Sequence, residues 1–227
     1  RRQRQMCIRD RHQEKLDEVV DGIQAKGGKA VGVVADVCAT EDTQRAFETA
    51  LKEFGDVDIL INNAGCGYLG RMGETETAVQ TRMVDLNVRA MTAMTNLVIP
   101  YMPAGGRILN TSSIASFCPT PRMTVYGASK AYVSSFTVGL SEELKRRDIT
   151  VTAVCPGPMK TEFLDVGSIT GRSPAFEYLP YCDQVRVAAG ALRAAKAGRT
   201  MYTPRLFYKF YRLLALSLIH ISEPTRQ

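Results

Sequence analysis

The sequence predicts an α/β protein: a three-layer, doubly wound parallel sheet of the Rossmann-like kind. Three observations lead there. Short β-rich apolar runs alternate with longer stretches of helical period, the pattern that builds a parallel sheet covered by helices on both faces. The interior of the 227-residue chain has ordinary apolar content, enough for one domain with a sizeable core. No composition bias points to repeats or disorder.

The elements follow in chain order. Leu16, Val19, Val20 and Ile23 mark the apolar stripe of a first helix that stops at Gly27 and Gly28, and residues 30–35 read as a strand. Thr40 is expected to cap a second helix reaching Gly55, with Phe47, Ala50, Leu51 and Phe54 facing in. Strands are expected at residues 57–61, 107–111 and 150–154, and a further one near 200–203. Helical stretches cover 76–102, 124–147 and 183–197. Pro156, Gly157 and Pro158 open a turn-rich segment that runs to Pro180. It is too long for a simple connection and reads as a lid or specificity loop. Residues 205–215 close the domain.

The two ends do not match this interior. The DNA string ATG TGT ATA AGA GAC AG encodes Met6, Cys7, Ile8, Arg9 and Asp10, and its reverse complement encodes Leu216, Ser217, Leu218, Ile219 and His220. The string resembles a transposon-end adapter of sequencing libraries. Residues 1–11 and 216–227 are therefore read as adapter-derived and non-native, and residues 12–215 as an incomplete domain. Setting them aside takes the formal charge from +6 to +2, so basicity gives no ground for a nucleic-acid partner. The remaining cysteines, Cys38, Cys66, Cys118, Cys155 and Cys182, are scattered without metal-ligand or disulfide-framework spacing, which fits a reducing cytoplasm. His12 is then the one histidine left, which argues against a Ser-His-Asp hydrolase and against a histidine-ligated metal; no metal is expected.

Tyr126 and Lys130 stand four apart on the fourth helix, so their side chains project from one face. A neighbouring ammonium favours the phenolate, and the spacing predicts that Lys130 lowers the pKa of Tyr126 for proton transfer. Ser113 follows the strand 107–111, at the carboxyl edge where open α/β sheets place ligands.

With these residues the chain resembles the short-chain dehydrogenase/reductase family. The resemblance rests on Asn62-Asn63-Ala64-Gly65 after a strand, on Asn87 within Asp85-Leu86-Asn87-Val88, on Thr111-Ser112-Ser113, on Tyr126-Gly127-Ala128-Ser129-Lys130, and on Pro156-Gly157 followed by Thr161. It implies an oxidoreductase moving hydride between NAD(P)H and a carbonyl or alcohol, with an apolar ketone or ketoacyl compound as the substrate. By that resemblance Tyr126 is the acid in reduction and the base in oxidation, and Ser113 holds the substrate oxygen as charge develops on it. Lys130 also clasps the nicotinamide ribose, and Asn87, interrupting its helix, holds a water that links Lys130 to solvent. Asp36 is implied at the adenine amino group with Val37 beside it. Asn63, Ala64 and Gly65 are implied against the adenosine ribose, and Pro156, Gly157, Met159 and Thr161 about the nicotinamide.

The chain departs from the family pattern at its start. The first strand, the glycine-rich phosphate turn, its helix and nearly all of the second strand are expected to be missing, which leads to the expectation that this literal polypeptide is insoluble or inactive. NADP is the expected cofactor, with NAD as the alternative; a basic Arg11 would favour NADP. A homo-oligomer is expected for the full-length protein. Two other classes of function compete: a non-catalytic binding protein of the same fold, and a membrane-surface protein. The latter rests on Leu206, Phe207, Phe210, Leu213 and Leu214 forming one helical face with Arg205, Lys209 and Arg212 on the other.

Overall fold

The computed structural model describes residues 5–10, 12–169, 176 and 178–219; Arg11, on which the choice of nucleotide was argued, lies outside them. The order is β1 (Gln5–Asp10), α1 (Gln13–Gln24), β2 (Lys29–Val34), α2 (Thr40–Phe54), β3 (Ile59–Asn62), α3 (Thr77–Val84), a π-helical turn (Asp85–Ala90) and α4 (Met91–Val98). Then come β4 (Arg107–Thr111), α5 (Thr124–Leu144), β5 (Thr150–Val154), a short α6 (Glu162–Val166), α7 (Gln184–Lys196), β6 (Met201–Tyr202) and α8 (Leu206–Ile219).

All pairings are parallel, but the sheet is in two pieces: β1-β2 and β3-β4-β5-β6. Among the described residues, β1 and β3 each keep one unpaired edge, and Ile59 and Ile61 of β3 remain 41% and 49% exposed. β1 lies at residues that the sequence reading set aside from the fold and where no strand was expected. Met6, Cys7 and Ile8 suit an extended backbone, and pairing to β2 through main-chain groups needs no side-chain specificity. Thr40 is the first residue of α2 and its side chain caps nothing; Ala39 is the capping position.

Both faces of the larger sheet are covered. Ile108 and Val151, fully buried, pack with Phe47, Met94, Val98, Leu140 and Leu144 from α2, α4 and α5. Residues pointing the other way, Leu109 and Val154, pack with Val187, Ala191 and Ala195 of α7 and with Tyr208 of α8, as strand alternation requires. A buried polar ladder pins the strands to the helices that carry the site. Asn62 Nδ2 donates to Thr95 Oγ1 at 2.8 Å and to Asn110 Oδ1 at 2.9 Å, and Asn110 Nδ2 donates to Thr137 Oγ1 at 3.0 Å. Satisfied interior amides of this kind fix one arrangement of elements, because any slip leaves a desolvated donor unpaired. No helix among the described residues is long and apolar enough to cross a membrane.

Candidate active site

Beyond the carboxyl ends of β3, β4 and β5 the chain gathers its chemistry. Ser113, in extended conformation just past β4, accepts from the Ala115 backbone N–H at 3.1 Å and so starts a tight turn over Ile114–Ser116. That turn brings its hydroxyl near the Tyr126 phenol on α5, where it favours the phenolate. Lys130 lies one turn further along α5, its Nζ 5.8 Å from the centre of the Tyr126 ring. Tyr126, Lys130, Ser113 and Asn87 are all buried.

Lys130 donates from Nζ to the Thr111 carbonyl at 2.8 Å, while its own carbonyl accepts from Ser112 Oγ at 2.9 Å. Burial pushes the amine down to about 8. Burial also pushes the Tyr126 phenol up to about 12, with the Ser113 hydroxyl pulling part of the way back. This corrects the expected lowering of the Tyr126 pKa by Lys130. The ammonium is spent on a backbone carbonyl and faces the ring, and desolvation of a phenolate outweighs what remains.

Asn87 sits in a π-helical turn, where the resemblance implied only an interruption of regular helical bonding; such turns often mark functional positions. Its Oδ1 accepts from Cys66 N at 2.9 Å, and its Nδ2 donates to Cys66 O at 2.8 Å and to Ser129 Oγ at 2.9 Å. Ser129 in turn donates to the Tyr126 carbonyl at 2.7 Å. The side chain thus clamps the loop after β3 onto α5. Gly65 in that loop stands where a Cβ would come within 3.1 Å of Asn87 Oδ1 and 3.2 Å of Lys130 Nζ, so the small residue lets the loop backbone come close to the amine.

The other expected binding residues divide by location. Asn63 Oδ1 accepts from Thr111 Oγ1 at 3.0 Å, which ties the end of β3 to that of β4; Ala64 follows at the exposed surface. Pro156 and Gly157 are buried past β5, the Pro156 carbonyl accepting from Ile114 N at 3.1 Å. Met159 packs against the core beneath α7, and Thr161 precedes α6. Asp36 and Val37 lie past β2, in the other piece of sheet. Asp36 is bound into a local turn, its Oδ1 accepting from Cys38 N at 2.9 Å and its N–H donating to Asp42 Oδ2 at 2.9 Å. Val37 lines a cleft of about 250 Å³ between α2 and α4.

Two contributors escaped the sequence reading: Ser129, which has no role of its own in the motif, and the Thr111 carbonyl, which leaves no trace in a sequence. Phe163, one of the loop's apolar residues that suit a hydrophobic ketone or acyl chain, has its ring 5.6 Å from that of Tyr126 at 52°. Gly67 makes this contact possible, since a Cβ there would stand 2.5 Å from Phe163 Cζ and 3.0 Å from Tyr126 Cδ2.

The nicotinamide-ribose end of a dinucleotide fits these residues: an amine beside an uncovered glycine, with a phenol and a hydroxyl alongside. Among the described residues the phosphate end finds no such seat. Gly65, Gly67 and Gly70 have phosphate-turn spacing after β3, but no helix opens there before Thr77, and side chains of Phe163 and Thr75 fill the space at Gly67 and Gly70.

A parallel sheet with helices on both faces defines a Rossmann-like α/β protein, here with a buried hydroxyl, phenol and amine at the sheet's carboxyl rim. The family model described as short chain dehydrogenase matches residues 1–172, and the chain belongs to that family. The chain is 35% identical over 161 residues to human "Dehydrogenase/reductase SDR family member 4", a match covering 70% of this chain and 58% of the relative's length. A short-chain dehydrogenase/reductase from Burkholderia phymatum, solved in complex with NAD, superposes with TM-score 0.79 at 25% identity over 96% of this chain and 86% of that one. A short-chain dehydrogenase from Sphingobium yanoikuyae, solved in complex with NADPH, superposes with TM-score 0.79 at 25% identity over 98% and 88%.

Proposed function

We propose that the protein is an NAD(P)-dependent oxidoreductase acting on a carbonyl or alcohol, with Ser113, Tyr126 and Lys130 carrying the chemistry. The observation that carries this reading is the gathering of the buried Ser113 hydroxyl, Tyr126 phenol and Lys130 amine past the end of β4, the amine 5.8 Å from the centre of the Tyr126 ring and bonded to the Thr111 carbonyl at 2.8 Å. NADP bound along the rim, with NAD as the alternative, would supply or take the hydride. Lys130 is assigned to its nicotinamide ribose, Pro156, Gly157, Met159 and Thr161 to the nicotinamide, Asn63, Ala64 and Gly65 to the adenosine ribose, and Asp36 and Val37 to the adenine.

The residues divide the proton work by their acidity. A phenol held near 12 keeps its proton at neutral pH, so Tyr126 Oη is set to donate to a substrate oxygen, the direction of carbonyl reduction. Ser113 Oγ donates a second hydrogen bond to that oxygen as charge gathers on it. Lys130, near 8, exchanges its proton close to neutrality and restores that of Tyr126. We assign to Asn87 the water through which Lys130 reaches solvent. Phe163 and Leu164, on α6 against Tyr126, suit an apolar ketone or acyl chain. We place the protein in the cytoplasm and the full-length form in a homo-oligomer. The six cysteines are all free, and Tyr101, Tyr132 and Val138 are exposed on the helical layer.

The test is an assay of the chain with NADPH and with NADH against apolar ketones, following nicotinamide absorbance, beside Tyr126→Phe. Turnover lost in Tyr126→Phe supports the reading. Turnover untouched in Tyr126→Phe overturns it in favour of a non-catalytic role for the site.

A further inference from the structure

The last helix carries apolar surface on two opposite sides. One side is the domain contact: Tyr208 is fully buried, its hydroxyl donating to the Pro180 carbonyl at 2.7 Å, and Ala215 is buried one face-repeat later. On the opposite side of α8, Leu206, Phe207, Phe210, Leu213 and Leu214 are 81%, 53%, 59%, 66% and 44% exposed. Their spacing is a helical stripe, so the large apolar groups form one continuous band facing away from the protein. Scattered exposed leucines call for no explanation; an unbroken band of five does.

The charge of this part of the sequence is one-sided. From Gln184 to Ile219, through α7 and α8, the sequence contains Arg186, Arg193, Lys196, Arg199, Arg205, Lys209 and Arg212 and no Asp or Glu. Arg186, Arg193, Lys196, Arg199, Arg205 and Lys209 are exposed. On α8, Lys209 and Arg212 lie along one flank of the band, between it and the domain contact; Arg212 donates to Thr203 Oγ1 at 3.3 Å and Arg205, just before the helix, donates to the Tyr181 carbonyl, while the exposed Lys209 head can reach past the apolar groups to a charged plane. A second copy docked through the same band would bring the same cations and, from residues 184–219, no acidic side chain to meet them. An anionic surface meets both features at once.

We propose that α8 is a peripheral membrane-docking helix that lays Leu206, Phe207, Phe210, Leu213 and Leu214 into the interface of an anionic bilayer. Buried apolar area supplies the depth, and the Arg/Lys flank selects phosphate-bearing headgroups. A site at the sheet's rim, next to a helix lying on lipid, is then presented with apolar substrates partitioned into that lipid. This last clause rests on the proposed oxidoreductase activity; the docking does not.

The experiment is flotation of the full chain with vesicles of phosphatidylcholine alone and of phosphatidylcholine mixed with phosphatidylglycerol, which separates vesicle-bound protein from aggregate that stays at the bottom. Binding is expected with the anionic vesicles and not with the neutral ones. Phe210→Glu is expected to lower it at least about tenfold, and Lys209→Gln about fivefold. Both side chains are exposed, so circular dichroism of the variants should match the parent; Phe210→Ala, expected to weaken binding in the same direction, guards against a folding defect. Equal flotation with both vesicles, flotation indifferent to Phe210→Glu, or a dimer that Phe210→Glu splits while no vesicles bind would each overturn the proposal. None of these outcomes depends on turnover, so a failed ketone assay and a failed docking are told apart.

Discussion

Lys130 anchors its amine to the backbone of Thr111, Nζ to carbonyl at 2.8 Å, and not to the phenol that shares its helix face. The bond joins α5 to the last residue of β4 and holds the amine at the rim of the sheet while burial strips it of water. Removing the amine should therefore cost more than a charge. Lys130→Met is expected to lower kcat/KM by about two orders of magnitude or more and to weaken nucleotide binding, measured by steady-state kinetics and by nucleotide fluorescence titration.

The same burial gives stability a pH signature. Lys130 is depressed from 10.5 to about 8, so between those values the unfolded chain holds a proton that the folded chain has released, and stability from this group rises as pH climbs from about 8 towards 10.5. Tyr126 is raised from 10 to about 12, so above pH 10 the folded chain holds the extra proton and stability from this group falls. Thermal melting of the protein against Lys130→Met should show the rise only in the parent, and against Tyr126→Phe the fall only in the parent.

Tyr126→Phe removes the proton donor but keeps the ring against Phe163. Its expected effect is a loss of about 10²–10⁴ in kcat with nucleotide affinity retained, checked by single-turnover assay beside a binding titration. Ser113→Ala should lose about 10²–10³ in kcat as an oxyanion donor does. Lower its effect to that of a neutral surface substitution, and Ser113 is not at the reacting oxygen.

Gly157 faces the buried ring of Tyr208, and an added methyl would stand 2.2 Å from Tyr208 Cζ. Gly157→Ala is expected to destabilise the fold by about 1–3 kcal/mol through overpacking and to loosen α8. Chemical denaturation measures the first, and proteolysis within residues 203–215 the second.

Much of this was legible beforehand, for reasons that can be named. The strands at Arg107–Thr111 and Thr150–Val154 were read with their observed bounds, because β-rich residues there lie between clear turn signals. The long stretch 76–102 was read as one helix and is instead α3, a π-helical turn, α4 and a tight final turn at Ile99–Tyr101. Apolar periodicity passes through such a turn almost unchanged, although Asn87 was singled out inside it. The convergence of Ser113 with Tyr126 was anticipated from their place after a strand and on a helix. The acidity of Tyr126 was not, because its sign depends on how completely three elements desolvate the phenol and on where Lys130 finds its acceptor. Neither quantity is local in sequence. Strand β1 was missed since its residues were excluded from the fold on other grounds.

The unpaired edges of β1 and β3 have a bearing on how the molecule behaves in a tube. Each presents a row of main-chain donors and acceptors with no ladder to join, and on β3 the row is flanked by half-exposed isoleucines. Two molecules meeting edge to edge would satisfy both rows at once. Dilution, an edge-capping peptide or a lysine in place of Ile59 should each keep the protein monodisperse in light scattering, where the unaltered chain at high concentration grows into particles.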